Sequence, residues 1–236
     1  HMKTPIDANE KLRIDNYIKQ AWHFDPELPS NDYQYVGRFT GNWKEQVQYL
    51  QFNKDSEFDY NRNKKTFDDK RLPDSIVSFG NKDREKAVKW GYDNKTHYHQ
   101  KWNGLPEWCD LMGKASGLHT PAMCINEQVP GSFLPWHVDL FYTYCEQTGR
   151  EIKLETLLKM RRYLVFLQDW KWGYYLQVGN NPITHWKAGD IITMPFGMYH
   201  LSVNAGTEVR HTMQINGLET DESIHKLPAK KIEINV

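Results

Sequence analysis

The chain has 236 residues, and its 30 basic side chains are matched by 30 acidic ones, so the net charge is zero and the pI lies near 7.3. That balance excludes a general electrostatic attraction for nucleic acid, which would have to be held through local patches such as Lys64-Lys65 or Arg161-Arg162. The length suits one structural domain with a real core. Cys109, Cys124 and Cys145 follow no motif spacing, no secretory signal opens the chain, and no apolar run is long enough to cross a bilayer. A reduced, cytoplasmic protein without a disulfide framework is therefore expected. His1-Met2 reads as a cloning remnant.

In chain order, residues 9–21 place apolar side chains at helical spacing, and Pro26 and Pro29 then break the chain. Residues 42–52 read as a second helix with Asn42 as its N-cap. Residues 53–71 are charged and polar and are expected to form a mobile flap. Ser75–Phe79 is a strand candidate, and Asn81–Tyr92 and Glu107–Ser116 are helix candidates.

From Pro121 the texture changes to short strands separated by turn signals. The strand candidates are Met123–Val129, Trp136–Phe141, Tyr163–Leu167, Tyr174–Val178, Ile183–Trp186, Asp190–Met194, His200–Asn204 and Arg210–Gly217, with a helix over Glu151–Met160. Eight such strands predict a sandwich or barrel, buttressed by the helices of the N-terminal half. The expected division is an α-rich part at 1–120, a β core at 121–218 and a tail at 219–236.

Within that core, His137-Val138-Asp139 sets an imidazole and a carboxylate two positions apart. On a strand both point to one face. A third ligand from a distant strand, with His200 proposed, completes two histidines and one carboxylate, a set that leaves open positions on a ferrous ion. The next strand carries Arg210, Thr212, Gln214 and Asn216 on one face and Val209, His211, Met213 and Ile215 on the other. A polar inward face makes sense around a charged ligand, and Arg210 offers a planar fork to a carboxylate with the Thr212 hydroxyl beside it. The second H-x-D, His23-Phe24-Asp25, precedes Pro26 outside the strand-rich half and is set aside. His97-Tyr98-His99 opens like a cupin ligand pair, but no glutamate follows at the required spacing.

The order His137-x-Asp139, strands, His200, ten residues, Arg210-x-Thr212 resembles the iron(II)- and 2-oxoglutarate-dependent oxygenases. The resemblance covers about residues 121–217 and includes the turn Trp186-Lys187-Ala188-Gly189-Asp190. It implies a double-stranded β-helix, a cupin-like jelly roll with helices on one side. It implies Fe(II) on His137, Asp139 and His200, and 2-oxoglutarate with its far carboxylate on Arg210. The implied activity uses O2 to hydroxylate an unactivated C–H as the co-substrate is decarboxylated. Tyr163 and Asn126 are further candidates for hydrogen bonds to 2-oxoglutarate. Phe141, Tyr142 and Tyr144 are candidates for the substrate mouth, Arg161 or Arg162 for an anionic substrate, and Trp170 and Trp172 for recognition on a turn. The substrate expected by analogy is an amino acid or a peptidyl side chain of the prolyl or aspartyl/asparaginyl type. A nucleobase, a small metabolite and a silent binding module are the alternatives.

Overall fold

The computed structural model describes residues 5–21, 33–52, 57–58, 96–100 and 104–236. The expected strand at 75–79, the helix at 81–92, His23-Phe24-Asp25, Lys64-Lys65 and all of the 53–71 flap but residues 57–58 lie outside them. Two sheets form the body. The larger one joins β1 (Gln34–Thr40), β2 (Glu57–Phe58), β3 (Thr96–Gln100), β4 (His119–Gln128), β6 (Met160–Phe166), β9 (Asp190–Met194), β11 (Arg210–Leu218) and β12 (Lys230–Glu233), in the order β12-β1-β9-β6-β11-β4-β3-β2. The smaller one joins β5 (Phe133–His137), β7 (Tyr174–Val178), β8 (Asn181–Ile183) and β10 (His200–Asn204), in the order β5-β10-β7-β8. Pairing is antiparallel throughout except between β1 and β12. From β4 to β11 the chain passes back and forth between the sheets, with β7 and β8 both in the smaller one, which is the double-stranded β-helix expected from the sequence.

Period-two alternation explains how the larger sheet is covered on both faces. On β6, Tyr163 and Val165 join a cluster with Trp43, Trp108, Met112 and Ile125, against the helix α2 (Glu107–Ala115). Leu164 and Phe166 turn the other way and pack with Tyr174, Leu176, Val178 and Trp186 between the sheets. Phe166 and Trp186 stack with centroids 4.2 Å apart. A third cluster closes one end of the body, where Ile14 and Ile18 of α1 (Ala8–Ala21) meet Val138, Phe196 and residues of α3 (Tyr142–Gln147) and α4 (Leu154–Leu158). The tight turn before β9 requires its glycine. Gly189 has φ +92°, and a Cβ there would lie 2.0 Å from the Phe39 carbonyl oxygen.

Several local expectations are corrected. β1 and β3 come from the N-terminal 120 residues, and β12 from the tail. Their partners are distant in sequence, and β1 is interrupted by a register shift at Gly37, so its alternation is weak. Residues Asn42–Tyr49 form a 3-10 helix, and the Asn42 side chain caps nothing there but holds Val236 through its backbone oxygen and N–H. The expected strand over Trp136–Phe141 ends at His137, and the expected Ile183–Trp186 lies earlier, at Asn181–Ile183. The three cysteines are free thiols. No helix among the described residues is long and apolar enough to cross a membrane.

Candidate metal centre

His137 is the last residue of β5 and His200 the first of β10, and the two are cross-strand partners. The β5–β10 register shifts between this pair and Leu134↔Ser202, so one extra residue is taken up around Pro135 and Trp136. Pro135 has no N–H to give to a ladder, and a bulge at this point re-aims the side chains beyond it. Asp139 therefore does not reach His137's side by strand alternation, as the sequence reading has it. Val138 is buried in the end cluster, and Phe141 takes a left-handed backbone with φ 58°. That loop swings the Asp139 carboxylate back over the two imidazoles. A bulky residue in this region is strained and persists only where packing enforces it.

The ligand atoms of His137, Asp139 and His200 all lie within 4.8 Å of one another. Asp139 Oδ2 is 3.1 Å from His200 Nε2, and Asp139 Oδ1 is 3.8 Å from His137 Nε2. Donors at right angles around an ion, each bonded at about 2.1 Å, stand about 3 Å apart, so the set is close to the spacing a metal requires. The hydrogen-bond pattern of His200 agrees. Its Nδ1 is 3.1 Å from the Met198 carbonyl, which can only accept, so Nδ1 carries the proton and Nε2 presents a lone pair. Burial pushes the His200 pKa down to about 4, so the ring is neutral at physiological pH. A lone pair aimed at a carboxylate oxygen 3.1 Å away is repulsive unless a cation lies between them. Neutral imidazole and ionised carboxylate are the protonation states metal binding needs.

From the two histidines a pocket runs between the sheets, lined by Leu134, Leu164, Phe166, Leu176 and the polar side chains of Asn126, Gln128, Ser202, Arg210, Thr212 and Gln214. Arg210, at 5% exposure, ends it. The guanidinium donates to Gln128 Oε1 and Ser202 Oγ through Nη2 and to the Tyr175 carbonyl at 3.1 Å through Nη1. It has no acidic partner among the described residues, and its Nε has no hydrogen-bond partner there. Burial lowers its pKa to about 10, which leaves it charged at neutral pH. The Asn126 Oδ1 in the same pocket is also buried without a partner among the described residues, and Asn126 pairs directly with Thr212 across β4 and β11. A buried cation and an orphaned acceptor facing one cavity are costly unless a ligand meets them.

The remaining sequence candidates divide. Gln128 and Ser202, which brace Arg210, were missed. Each lies two positions along its strand from a residue already singled out, Asn126 and His200, so alternation alone could have found them. Tyr163 is a correction. It lies on the opposite face of β6, and its hydroxyl is 2.6 Å from His225 Nδ1, with burial pushing its pKa up to about 12. The Tyr163→Phe variant should lose about 1 kcal/mol of stability, the usual net worth of one hydrogen bond. Its 2-oxoglutarate affinity, measured by calorimetry on the metal-loaded protein, should stay within twofold of wild type. Arg161 pairs with Glu219 at 2.9 Å and Arg162 with Asp139, so neither serves a basic surface patch. Tyr142 and Tyr144 are buried, Tyr144 holding the Thr120 carbonyl at 3.0 Å, whereas Phe141 faces Arg162. Trp172 is exposed and meets Trp170 edge-on, and Trp170 is stacked on His185. His97 and His99 fall on β3, beyond β4 toward one edge of the larger sheet.

No protein-family model matches the chain, and no curated protein is similar to it. Among solved structures it is similar to a Pseudomonas putida prolyl-4-hydroxylase, with 15% identity over 63% of this chain and 89% of that one and a TM-score of 0.40. It is also similar to the cupin domain of Schizosaccharomyces pombe Cnp3, with 13% identity over 54% of this chain and 63% of that one and a TM-score of 0.33. A predicted oxalate decarboxylase from Thermotoga maritima shares 12% identity over 54% and 84% of the two chains, with a TM-score of 0.34. These are distant likenesses, and the reading of the site rests on its own geometry.

Proposed function

We propose that the protein is an Fe(II)- and 2-oxoglutarate-dependent oxygenase that hydroxylates an unactivated C–H, with an amino acid or peptidyl group as substrate. The observation that carries this reading is the pairing of a two-histidine, one-carboxylate cluster with a buried arginine that has no acidic partner among the described residues, at the two ends of one pocket. Either feature alone has other uses. Together they fit a divalent ion and a dianion that bridges from it to a guanidinium.

His137, Asp139 and His200 would hold the ion by one face. The bound ion, with 2-oxoglutarate and O2, supplies the oxidising power that turns C–H into C–OH as the co-substrate becomes succinate and CO2. The residues of the chain do the rest. Arg210 binds the far carboxylate, and Gln128 and Ser202 fix the guanidinium so that little rotamer freedom remains to be lost. Asn126 and Thr212 stand beside the co-substrate's path along the β4–β11 pair. Leu164, Phe166 and Leu176 keep the walls apolar and exclude water from the reacting end.

The test is succinate formation from 2-oxoglutarate by the Fe(II)-loaded protein, with and without candidate amino acids and peptides. Turnover that needs Fe(II) supports the reading. Metal and 2-oxoglutarate binding without any succinate would instead mark a silent binding module.

A further inference from the structure

Arg162 stands on β6 two positions before Leu164, a pocket-lining residue, and meets Asp139 beside the two histidines, well separated from Arg210. The separation follows from register. Arg162 pairs across the sheet with Asn216, six residues along β11 from Arg210, or about 20 Å of extended strand. The two arginines thus bracket the metal cluster. Arg210 lies at the closed end with 5% exposure. The Arg162 side chain is 10% exposed and lies beside Asp139 and His137, at 23% and 21%, so the metal end is the more open end of the site.

Three contacts aim Arg162 at the reacting centre. Its Nη1 meets Asp139 Oδ2, the same oxygen that lies 3.1 Å from His200 Nε2. Its Nε donates to Asn216 Oδ1 at 2.8 Å. Its guanidinium carbon lies 5.1 Å from the Phe141 ring centroid. Phe141 is the residue in the strained left-handed conformation, and it continues into an aromatic wall with Phe196 at 6.4 Å, on which Tyr17 of α1 stacks at 5.7 Å. When a divalent ion takes Asp139, one carboxylate serves two cations. An anion arriving from the side of Asp139 is then favoured next to Arg162 and beside the partly buried Phe141 ring.

We propose that Arg162 is the anchor for the prime substrate, and that this substrate is an amino acid or peptide with a free carboxylate close to an apolar or aromatic group. Asn216 and Phe141 are the positioning residues that hold the guanidinium. The proposal rests on the oxygenase reading above and deepens it by naming the substrate class. The arrangement of opposed arginines also keeps the two acids apart. The co-substrate carboxylate goes to the closed end and the substrate carboxylate to the mouth.

The test uses the Zn(II)-loaded, 2-oxoglutarate-saturated protein, which binds without turnover. Calorimetric titrations compare N-acetylphenylalanine, N-acetylleucine and N-acetylproline with their carboxamides. At least one acid should bind ten- to a hundredfold more tightly than its amide. In Arg162→Met, kept saturated with Zn(II) and 2-oxoglutarate, that preference should vanish, and Arg162→Lys should recover part of it, since a point charge attracts but cannot form the fork. Asn216→Ala, which keeps the charge and frees its orientation, should weaken the preference several-fold. Equal binding of acid and amide by the wild-type protein, no binding of either, or a preference that survives in Arg162→Met overturns the anchor while leaving the oxygenase reading intact. A protein that takes up neither metal nor 2-oxoglutarate overturns both.

Discussion

His137→Ala, Asp139→Ala and His200→Ala should each reduce divalent-metal affinity by more than the 10- to 100-fold that loss of an outer-shell partner typically costs. The reason is geometric. The three donors approach one point from β5, the loop after it and β10, with separations of 3.1 and 3.8 Å between the carboxylate and the two imidazoles. Removing any one leaves two donors and no closed face. The fold should persist, because none of the three is an apolar member of the clusters that hold the sheets and helices together. Asp139→Ala carries an extra effect, since it strips Arg162 of its ion pair at the mouth. That variant should lose more stability than His137→Ala. Co(II) titration followed by absorbance, with circular dichroism as the control for folding, measures both. Normal metal uptake by all three variants would refute the assignment.

The second large effect concerns Arg210. Its guanidinium is buried, charged and without an acidic partner among the described residues. A charge-assisted contact to the co-substrate is typically worth about 1.5–3 kcal/mol, so Arg210→Ala should weaken 2-oxoglutarate binding about ten- to a hundredfold. Arg210→Lys should recover only part of that, because an ammonium cannot keep the contacts to Gln128, Ser202 and Tyr175 that brace the guanidinium and also meet the ligand. Thermal stability provides a second readout with a distinct sign. A buried cation without a counter-ion costs free energy in the empty protein, so the metal-loaded Arg210→Met variant should melt no lower than wild type. At 2-oxoglutarate equal to 100 times the wild-type Kd, ligand adds about 2.7 kcal/mol to the wild-type protein, but only ~0.4 kcal/mol to a variant that binds a hundredfold more weakly. Unchanged affinity in Arg210→Ala would place the co-substrate carboxylate elsewhere.

What could be read from the sequence was what depends on local order and on the period of two. A strand carries every second side chain to one face, so Arg210, Thr212 and Gln214 share the pocket once β11 exists, and Met213 and Ile215 share the opposite core. The same rule put Asn126 inside. It would have added Gln128 and Ser202, and it would have excluded Tyr163, which alternates with Leu164 and so had to face the helices. The jelly roll itself was legible because short apolar runs between turn residues at this density have few other ways to bury themselves.

Other features were decided by tertiary structure. Asp139 reaches the metal cluster through a bulge and a left-handed Phe141, and no local propensity favours that backbone for a bulky residue. Arg162 looks like half of a surface Arg-Arg pair until Asp139, 23 positions earlier, is folded against it. Arg210 is braced by Gln128 from 82 positions away. β1 finds its place only between β9 and β12, both from the last fifth of the chain. Each of the last three is a hydrogen bond, an ion pair or a strand pairing between segments far apart in sequence. Its energy is realised only when the whole sheet brings the partners within reach, so no window of neighbouring residues carries a signal for it. The chemistry of the individual side chains was written in the sequence, while their convergence on one ion-sized space came from the packing of the two sheets.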